Sequence, residues 1–259
     1  MSKWKRRLLW GSAVVGVCIV YLWLFGAQTF FALWAWRIGR QIPIVKSVPV
    51  ELQDLTISTA RGERLSFQGA EFEVPWDDVD ESKTRIVGNL ALFHFRSGNS
   101  ILLCVGPPNG FIATMTERKT VDPELFKAMY GPEVLRSDYT LHKAIFETTP
   151  NQITLLTPAN RAAGLSSIII IKAIMPPTTD WAIYNIRSKN LKGFQLGAPE
   201  RRPKKMCLEL YGEDVHLEFN IEQNTSSPGP YITQAELNRI IQTARKVPRT
   251  DAKFTVSPS

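Results

Sequence analysis

The N-terminal part of the chain is dominated by one long apolar stretch. Residues 8–36 carry no charge, and as a helix at about 1.5 Å per residue they would exceed the roughly 30 Å hydrocarbon core of a bilayer. Basic residues precede this stretch, and tryptophans lie near both of its ends, where such rings settle at the membrane interface. These residues are Lys3, Lys5, Arg6, Arg7, Trp10, Trp34 and Trp36. The pattern predicts a single-pass transmembrane helix that acts as an uncleaved signal anchor.

The distribution of basic residues around that helix predicts its orientation. The basic head is expected to stay in the cytoplasm, which places the rest of the chain outside it, in the periplasm if the cell is bacterial. A cleaved signal peptide is the alternative, but the apolar stretch is longer than a signal peptide needs and lacks an A-x-A cleavage site. Ser12 and Gly16, four residues apart, could let two such helices pack as a homodimer. Residues 41–50, with two prolines, predict a short extended tether.

Two groups of strands are predicted after the tether. In the first group, the runs 51–59 and 64–74 flank a turn at 61–63, and the runs 85–96 and 100–105 flank Gly98-Asn99. Such Gly-containing turns between apolar runs indicate two β-hairpins. The second group contains the runs 181–188, 191–196, 204–211 and 215–222. The last of these runs alternates apolar and polar residues, which predicts one buried face and one face in water.

Helices are predicted between and after the strand groups. Asp122, followed by Pro123, starts a short helix, and residues 137–146 form a second candidate. The pattern of residues 158–175 is compatible with a helix or with a segment that contains a buried strand. Secondary-structure propensity does not decide between the two.

The final helix carries the clearest local signal in the chain. Thr233 caps it, Glu236 completes a capping box, and Ile232 can pack against Leu237 as a hydrophobic staple.

These elements together predict the α+β class. We expect residues 1–40 to hold the basic head, the transmembrane helix and an interfacial segment, and residues 41–50 the tether. Residues 51–248 are then one domain with a mainly antiparallel sheet covered by helices, and 249–259 a flexible tail. A division into two domains near residue 150 is the alternative.

The order of these elements resembles a known family. The segment Glu71-Phe72-Glu73-Val74-Pro75-Trp76 ends an early hairpin, a sheet meander follows, and the helix Ile232-Thr233-Gln234-Ala235-Glu236-Leu237 closes the domain. This arrangement is similar to the PsbP-like α/β/α sandwich domains. The resemblance implies a small exported or anchored binding and assembly factor, and it assigns no role to any single residue.

Composition and charge narrow the function classes. The chain of 259 residues has a formal net charge of +7 and 44% hydrophobic residues, which is typical of a globular protein. Seven basic and no acidic residues lie in positions 1–46, so basic and acidic residues balance over the rest of the chain. A nucleic-acid-binding domain needs a basic excess on its folded surface. We therefore expect no nucleic-acid partner.

The sequence offers few residues with obvious chemistry. His94, His142 and His216 are widely separated, and no metal-binding or cofactor-binding motif is present. We predict neither a metal nor a cofactor. Asp138 and His142 lie four residues apart on a predicted helix, which makes them a weak candidate for a catalytic pair against the alternative of an ordinary surface pair.

Two further groups of residues have alternative readings. Cys104 and Cys207 are the pair that could form a disulfide in an oxidising compartment, and two free thiols fit the sequence equally well. A basic run could contact an acidic partner or anionic lipid, or form a solvated turn. It consists of Arg201, Arg202, Lys204 and Lys205.

The resulting functional hypothesis is a binding or envelope-assembly module that recognises a protein partner in the cell envelope. Two rival hypotheses remain open. One is a hydrolase-type enzyme whose site is assembled from distant residues. The other is a carrier of small apolar ligands, which would need a dry internal cavity.

Overall fold

The computed structural model describes residues 3–59, 62–117, 122–175, 180–224, 231–247 and 255–258. The helices are α1 Lys3–Gln41, α2 Gly110–Glu117, α3 Pro123–Tyr130, α4 Asp138–Glu147, α5 Ala159–Ile174 and α6 Gln234–Thr243. The first six strands are β1 Val50–Glu51, β2 Glu63–Phe67, β3 Ala70–Val74, β4 Arg85–Val87, β5 Leu90–His94 and β6 Ser100–Gly106. The others are β7 Ile183–Arg187, β8 Lys192–Leu196, β9 Lys205–Tyr211, β10 His216–Glu222, β11 Arg245–Lys246 and β12 Thr255–Pro258.

A mixed sheet forms the centre of the fold. Its strands follow the order β1-β7-β8-β9-β10-β6-β5-β4. The β1–β7 pair is parallel, and every other neighbouring pair is antiparallel. The chain is therefore α+β, as predicted. Strands β6 and β10 pair from Ser100–Glu222 to Gly106–His216, so both halves of the chain contribute to one sheet.

One face of this sheet is covered by the β2–β3 hairpin and by α6. Phe72 of the hairpin meets Phe93 and Phe219 of the sheet edge-on, with ring centroids 6.0 and 4.9 Å apart. Helix α6 buries Leu237 and Ile240 in the same cluster. Burying such large side chains gives roughly 1.5 to 3 kcal/mol each, so this cluster is a main source of stability.

The opposite face carries the helical layer. Phe146 of α4 and Ile169 of α5 pack with Phe194 and Tyr211 of the sheet. Helices α2 and α3 lie further out, where their apolar residues join α4 and α5 in a cluster around Phe126.

The N-terminal helix α1 requires a correction. Among the residues that the structure describes, no helix combines the length and the apolar character needed to cross a membrane. This finding contradicts the predicted single-pass transmembrane helix and signal anchor. The prediction relied on the absence of charge, whereas the C-terminal end of α1 packs on the domain. Ala35 is 1% exposed there and belongs to the apolar cluster between the helical layer and the sheet, which Trp34 and Ile38 also contact.

The residues predicted to lie at the membrane have different surroundings where they are described. Trp36 is exposed, and the Arg40 guanidinium lies 4.7 Å from the centre of its ring. Trp34 packs against the domain, and the side chains of the remaining five lie outside the described residues. They are Lys3, Lys5, Arg6, Arg7 and Trp10.

The expected tether at 41–50 is also corrected. Pro43–Lys46 form a 3₁₀ turn. Its residues Ile44 and Val45 are buried in the apolar cluster between the helical layer and the sheet. The Lys172 ammonium of α5 donates to the Ser47 carbonyl oxygen at 2.6 Å. Apolar burial and this bond therefore fix the segment to the domain.

The first predicted hairpin was misplaced. The turn is at Gln68-Gly69, where both residues have positive φ angles of 49° and 79°, the conformation that a two-residue hairpin turn requires. The second predicted hairpin, with its turn at Gly98-Asn99, is confirmed as β5 and β6.

The helical predictions agree well with the structure. Asp122 caps α3, and residues 159–174 form the helix α5 without a strand. The capping box of Thr233 and Glu236 is present at the start of α6. The tail predicted to be flexible contributes β12, which pairs with β2, while residues 248–254 and 259 lie outside the described part of the chain.

Candidate functional site

The predicted catalytic pair lies at the start of α4, and its carboxylate binds the backbone of α2. Asp138 is 2% exposed, and its two oxygens accept the backbone N–H groups of Phe111 and Ile112 at 3.0 and 2.9 Å. The ring nitrogen Nδ1 of His142 lies 2.9 Å from the Asp138 carbonyl oxygen. The carboxylate thus caps the N-terminus of α2, a structural role that accounts for its burial.

His142 belongs to a buried group of rings between α4 and the sheet. The His216 ring stacks on Tyr211 with centroids 4.5 Å apart, and the His142 ring lies 6.4 Å from His216. The Tyr211 hydroxyl donates to Glu209. Burial lowers the pKa of His216, and the nearby His142 adds to that effect while Glu209 opposes it. These groups are packed together, which leaves little access for a substrate.

The two cysteines of the domain are both free thiols. Cys104 lies on β6 and Cys207 on β9, and β10 runs between these strands. Two strand spacings amount to about 9.6 Å, beyond the roughly 7 Å that a disulfide tolerates between Cα atoms. A bond between them would therefore require the sheet to open. Burial raises the pKa of both thiols, which makes them poor nucleophiles.

The described residues contain no candidate metal site. Across the described ranges, no three His, Cys, Asp or Glu side chains come together in a way that could hold a metal ion.

A large open depression lies at the β1 end of the sheet, and we call it the edge groove. Its volume is about 1150 Å³, and it is open to solvent. Its walls come from residues 50–54, from Tyr184 on β7, from the turn after β8, and from the segment that leads into α6. The lining residues are Val50, Glu51, Leu52, Gln53, Asp54, Tyr184, Pro199, Glu200, Arg202, Tyr231, Ile232, Thr233 and Gln234.

One wall of the edge groove is an outer strand edge of the sheet. The Leu52 N–H donates to the Asn185 carbonyl oxygen of β7 at 3.3 Å. Successive residues of a strand point their main-chain groups to opposite sides, so those of Glu51 and Gln53 point away from β7. Both residues are exposed. The groove therefore borders main-chain donors and acceptors that another extended segment could pair with.

Gln234, which lines the edge groove, belongs to a network of side-chain amides behind it, and we call this network the floor of the groove. Gln195 of β8 and Gln234 of α6 exchange two hydrogen bonds of 2.8 and 2.9 Å. Asn238 of α6 donates to the carbonyl oxygens of Asp54 and Thr56, both at 2.8 Å. Because these amides join the sheet, α6 and the 54–56 segment, the wall and floor are held in a fixed geometry.

Aromatic rings and charges occupy the rest of the edge groove. Burial and then the nearby Glu200 carboxylate raise the pKa of Tyr184, whose hydroxyl is bound to Glu200. The Thr56 backbone N–H, 2.9 Å from Asp54, lowers the pKa of that exposed carboxyl, which keeps it ionised. The guanidinium of Arg202 lies 5.3 Å from the centre of the Tyr231 ring.

The predicted basic run lies partly at this groove, and three of its four residues form ion pairs within the protein. Arg201 binds Asp180 at 2.8 Å. Lys204 and Lys205 bind Glu222 at 3.2 and 3.5 Å. Only Arg202 of this run lines the edge groove.

A second, smaller pocket is filled by internal ion pairs. It has a volume of about 340 Å³ between the β2–β3 hairpin and the end of α6. Arg64 binds Glu71 and Glu73 at 3.2 and 2.7 Å, and Arg245 binds Glu71 at 2.8 Å. Because these charges neutralise one another, the pocket is a weaker candidate than the edge groove.

Comparison with known proteins adds no relative to this picture. No family model, no curated protein and no solved structure matches the chain. The resemblance to PsbP-like domains, the location outside the cytoplasm, the envelope partner and the homodimer through Ser12 and Gly16 therefore stay predictions.

Proposed function

We propose that the protein is a binding module whose edge groove takes up an extended segment of a partner protein. The observation that carries this proposal is the outer edge at β1, where Glu51 and Gln53 are exposed and line an open groove. An added strand would pair with that edge and place alternate side chains in the groove, a known mode of peptide recognition.

The size and lining of the groove support a peptide rather than a compact ligand. About 1150 Å³ exceeds the roughly 300 to 1,000 Å³ of small-molecule pockets, and this groove is open where an apolar-ligand carrier needs an enclosed cavity. Val50, Leu55 and Ile57, on or next to the edge, are 52%, 64% and 47% exposed. An added strand could pack its own apolar side chains on these exposed residues.

The rival hydrolase hypothesis has less support from the geometry. Its best candidate, Asp138, has both carboxylate oxygens bound to the backbone of α2. A catalytic carboxylate must reach a substrate or orient a base, and these bonds occupy it instead.

The experiment tests strand pairing directly. Fluorescein-labelled ten-residue peptides of alternating valine and threonine are titrated into the full-length protein, and fluorescence anisotropy is recorded. Gln53→Pro removes the outward N–H at an edge position where proline is tolerated, and Gln53→Ala is the matched control that keeps it. We expect the proline variant to bind about tenfold more weakly, and the alanine variant to bind like the wild type.

Two results would overturn the proposal. One is the absence of any peptide binding to the wild-type protein. The other is equal affinity for the wild type and Gln53→Pro, because that would place the peptide away from the β1 edge. A peptide N-methylated at alternate positions gives an independent check, since it cannot complete the ladder.

A further inference from the structure

Arg202 has an unusual position for a residue at the rim of a binding groove. It ends the 3₁₀ turn Pro199–Arg201 in the left-handed conformation, with φ at 50° and ψ at 51°. Non-glycine residues adopt this conformation rarely. The Arg202 N–H donates to the Pro199 carbonyl oxygen at 2.9 Å, which holds the turn. The backbone thus fixes the direction in which the arginine leaves the turn.

The side chain of Arg202 lies over the Tyr231 ring, with the guanidinium carbon 5.3 Å from the ring centre. This distance is within the range of a cation–π contact, and Arg202 itself is exposed. A contact of this kind at an exposed position is weak, so a competing cation can replace it.

The charges of the edge groove favour a cation from outside. Its lining includes three carboxylates, from Glu51, Asp54 and Glu200, and a single cation, which is Arg202. Glu51 accepts a bond from the Asn185 side chain at 3.1 Å, while Asp54 is exposed and ionised. Because the carboxylates outnumber the single guanidinium, the groove has a negative electrostatic potential. This potential favours ligands with basic side chains.

We propose that the segment bound in the edge groove carries an arginine or lysine, and that Arg202 occupies the face of Tyr231 which this residue takes when the segment binds. The inference rests on the proposed function, because it names the chemistry of the ligand of the same groove. Arg202 then occupies the place of the ligand's basic residue in the free protein. The ligand must displace the Arg202 side chain, which lowers the apparent affinity, and a substitution of Arg202 removes this cost.

The test uses three peptides of alternating valine and threonine that differ only at the central position, which is arginine, glutamine or glutamate. Binding to the full-length protein is measured by fluorescence anisotropy. Arg202→Ala removes the side chain that the ligand must displace, and Lys205→Ala is a control with the same change in net charge at a residue outside the groove lining. We expect Arg202→Ala to bind the arginine peptide about fivefold more tightly, and Lys205→Ala to stay within about twofold of the wild type.

A second variant tests the ring. Tyr231→Leu keeps an apolar side chain but removes the aromatic face, so it should reduce the preference for arginine over glutamine to the part that the three carboxylates supply, while glutamine-peptide binding persists. Its circular dichroism spectrum serves as the folding check.

The outcomes separate this inference from the proposed function. Binding of all three peptides without preference for arginine would overturn the inference and leave strand pairing in place. Weaker binding of the arginine peptide to Arg202→Ala, or preference for the glutamate peptide, would also overturn it, because Arg202 would then contact a ligand carboxylate. The absence of binding to any peptide would overturn both proposals.

Discussion

The buried lysine of α5 provides the sharpest test of how this fold is held together. Lys172 is fully buried, and its ammonium donates to three backbone carbonyl oxygens. They belong to Ser47 at 2.6 Å, to Phe146 at 2.5 Å and to Thr148 at 2.8 Å. The single ammonium thus joins the segment after α1, the end of α4 and the helix α5. Replacing it by methionine keeps an unbranched side chain that is one atom shorter and removes every one of these bonds.

The magnitude follows from the contacts. Three hydrogen bonds to a charged group would be worth about 1.5 to 3 kcal/mol each, but the cost of burying the ammonium offsets several kcal/mol of that gain. Leaving the carbonyl groups without a donor places the net loss for Lys172→Met at about 3 to 5 kcal/mol. For a domain of this size, that corresponds to a fall in melting temperature of about 6 to 20 °C.

The assay is urea unfolding at pH 7, followed by circular dichroism. Lys143→Met is the matched control, because Lys143 lies on the surface of α4 and contacts Glu147 at 3.7 Å, and exposed pairs contribute at most about 1 kcal/mol. A loss below about 1 kcal/mol for Lys172→Met, with an unchanged denaturant slope, would refute the reasoning, since the carbonyl groups would then have other partners.

The same residue predicts a dependence on pH. Burial lowers the pKa of Lys172 from 10.5 to about 7. Between these values the unfolded chain keeps a proton that the folded protein has lost, so stability rises with pH from about 7 towards 10. The slope is at most about 1.4 kcal/mol per pH unit, because only one proton distinguishes the two states. This rise should be absent in Lys172→Met.

Three further predictions concern the local contacts. Asp138→Asn removes the charged cap of α2 and should cost about 2 kcal/mol in urea unfolding, with Asp122→Asn, a conservative change at an exposed cap, as the milder control. Because burial lowers the pKa of His216, the unfolded chain takes up the proton more readily and stability should fall as the pH drops below about 6.5. Replacing His216 by glutamine should flatten that fall in thermal melts recorded from pH 7 to 5, and an unchanged fall would contradict the assignment. Thr233→Ala breaks the capping box of α6 and should cost about 1 kcal/mol, and a change below about 0.3 kcal/mol would show that the cap is dispensable.

Features that depend on a few neighbouring residues could be predicted from the sequence. The cap at Asp122 and the capping box at Thr233 act within three or four residues, and both are present. The first hairpin was misplaced because Gly62 suggested a turn. In the structure, a Cβ at Gly62 would lie 1.9 Å from the Val74 carbonyl oxygen, so this glycine permits close approach of two strands. That requirement depends on a partner strand that local sequence does not identify.

The N-terminal region and the edge groove show the same limit at longer range. The charge-free stretch 8–36 satisfies the pattern for a membrane span, yet the C-terminal end of α1 packs Ala35 against the domain. The groove is lined from four separate segments, and the only local signal was the basic run that contains Arg202. Tyr184 and Tyr231 had no distinguishing sequence context, because their position in the groove follows from how distant segments pack.

Amide hydrogen exchange at the β1 edge tests the central claim most directly. The full-length protein is exchanged alone and with a saturating concentration of the arginine-containing valine and threonine peptide. The account predicts that the outward amides of Glu51 and Gln53 become protected by about tenfold or more, whereas the Thr56 amide, already bound to Asp54, changes little. Peptide binding that leaves the amides of Glu51 and Gln53 exchanging at their free rates would contradict it.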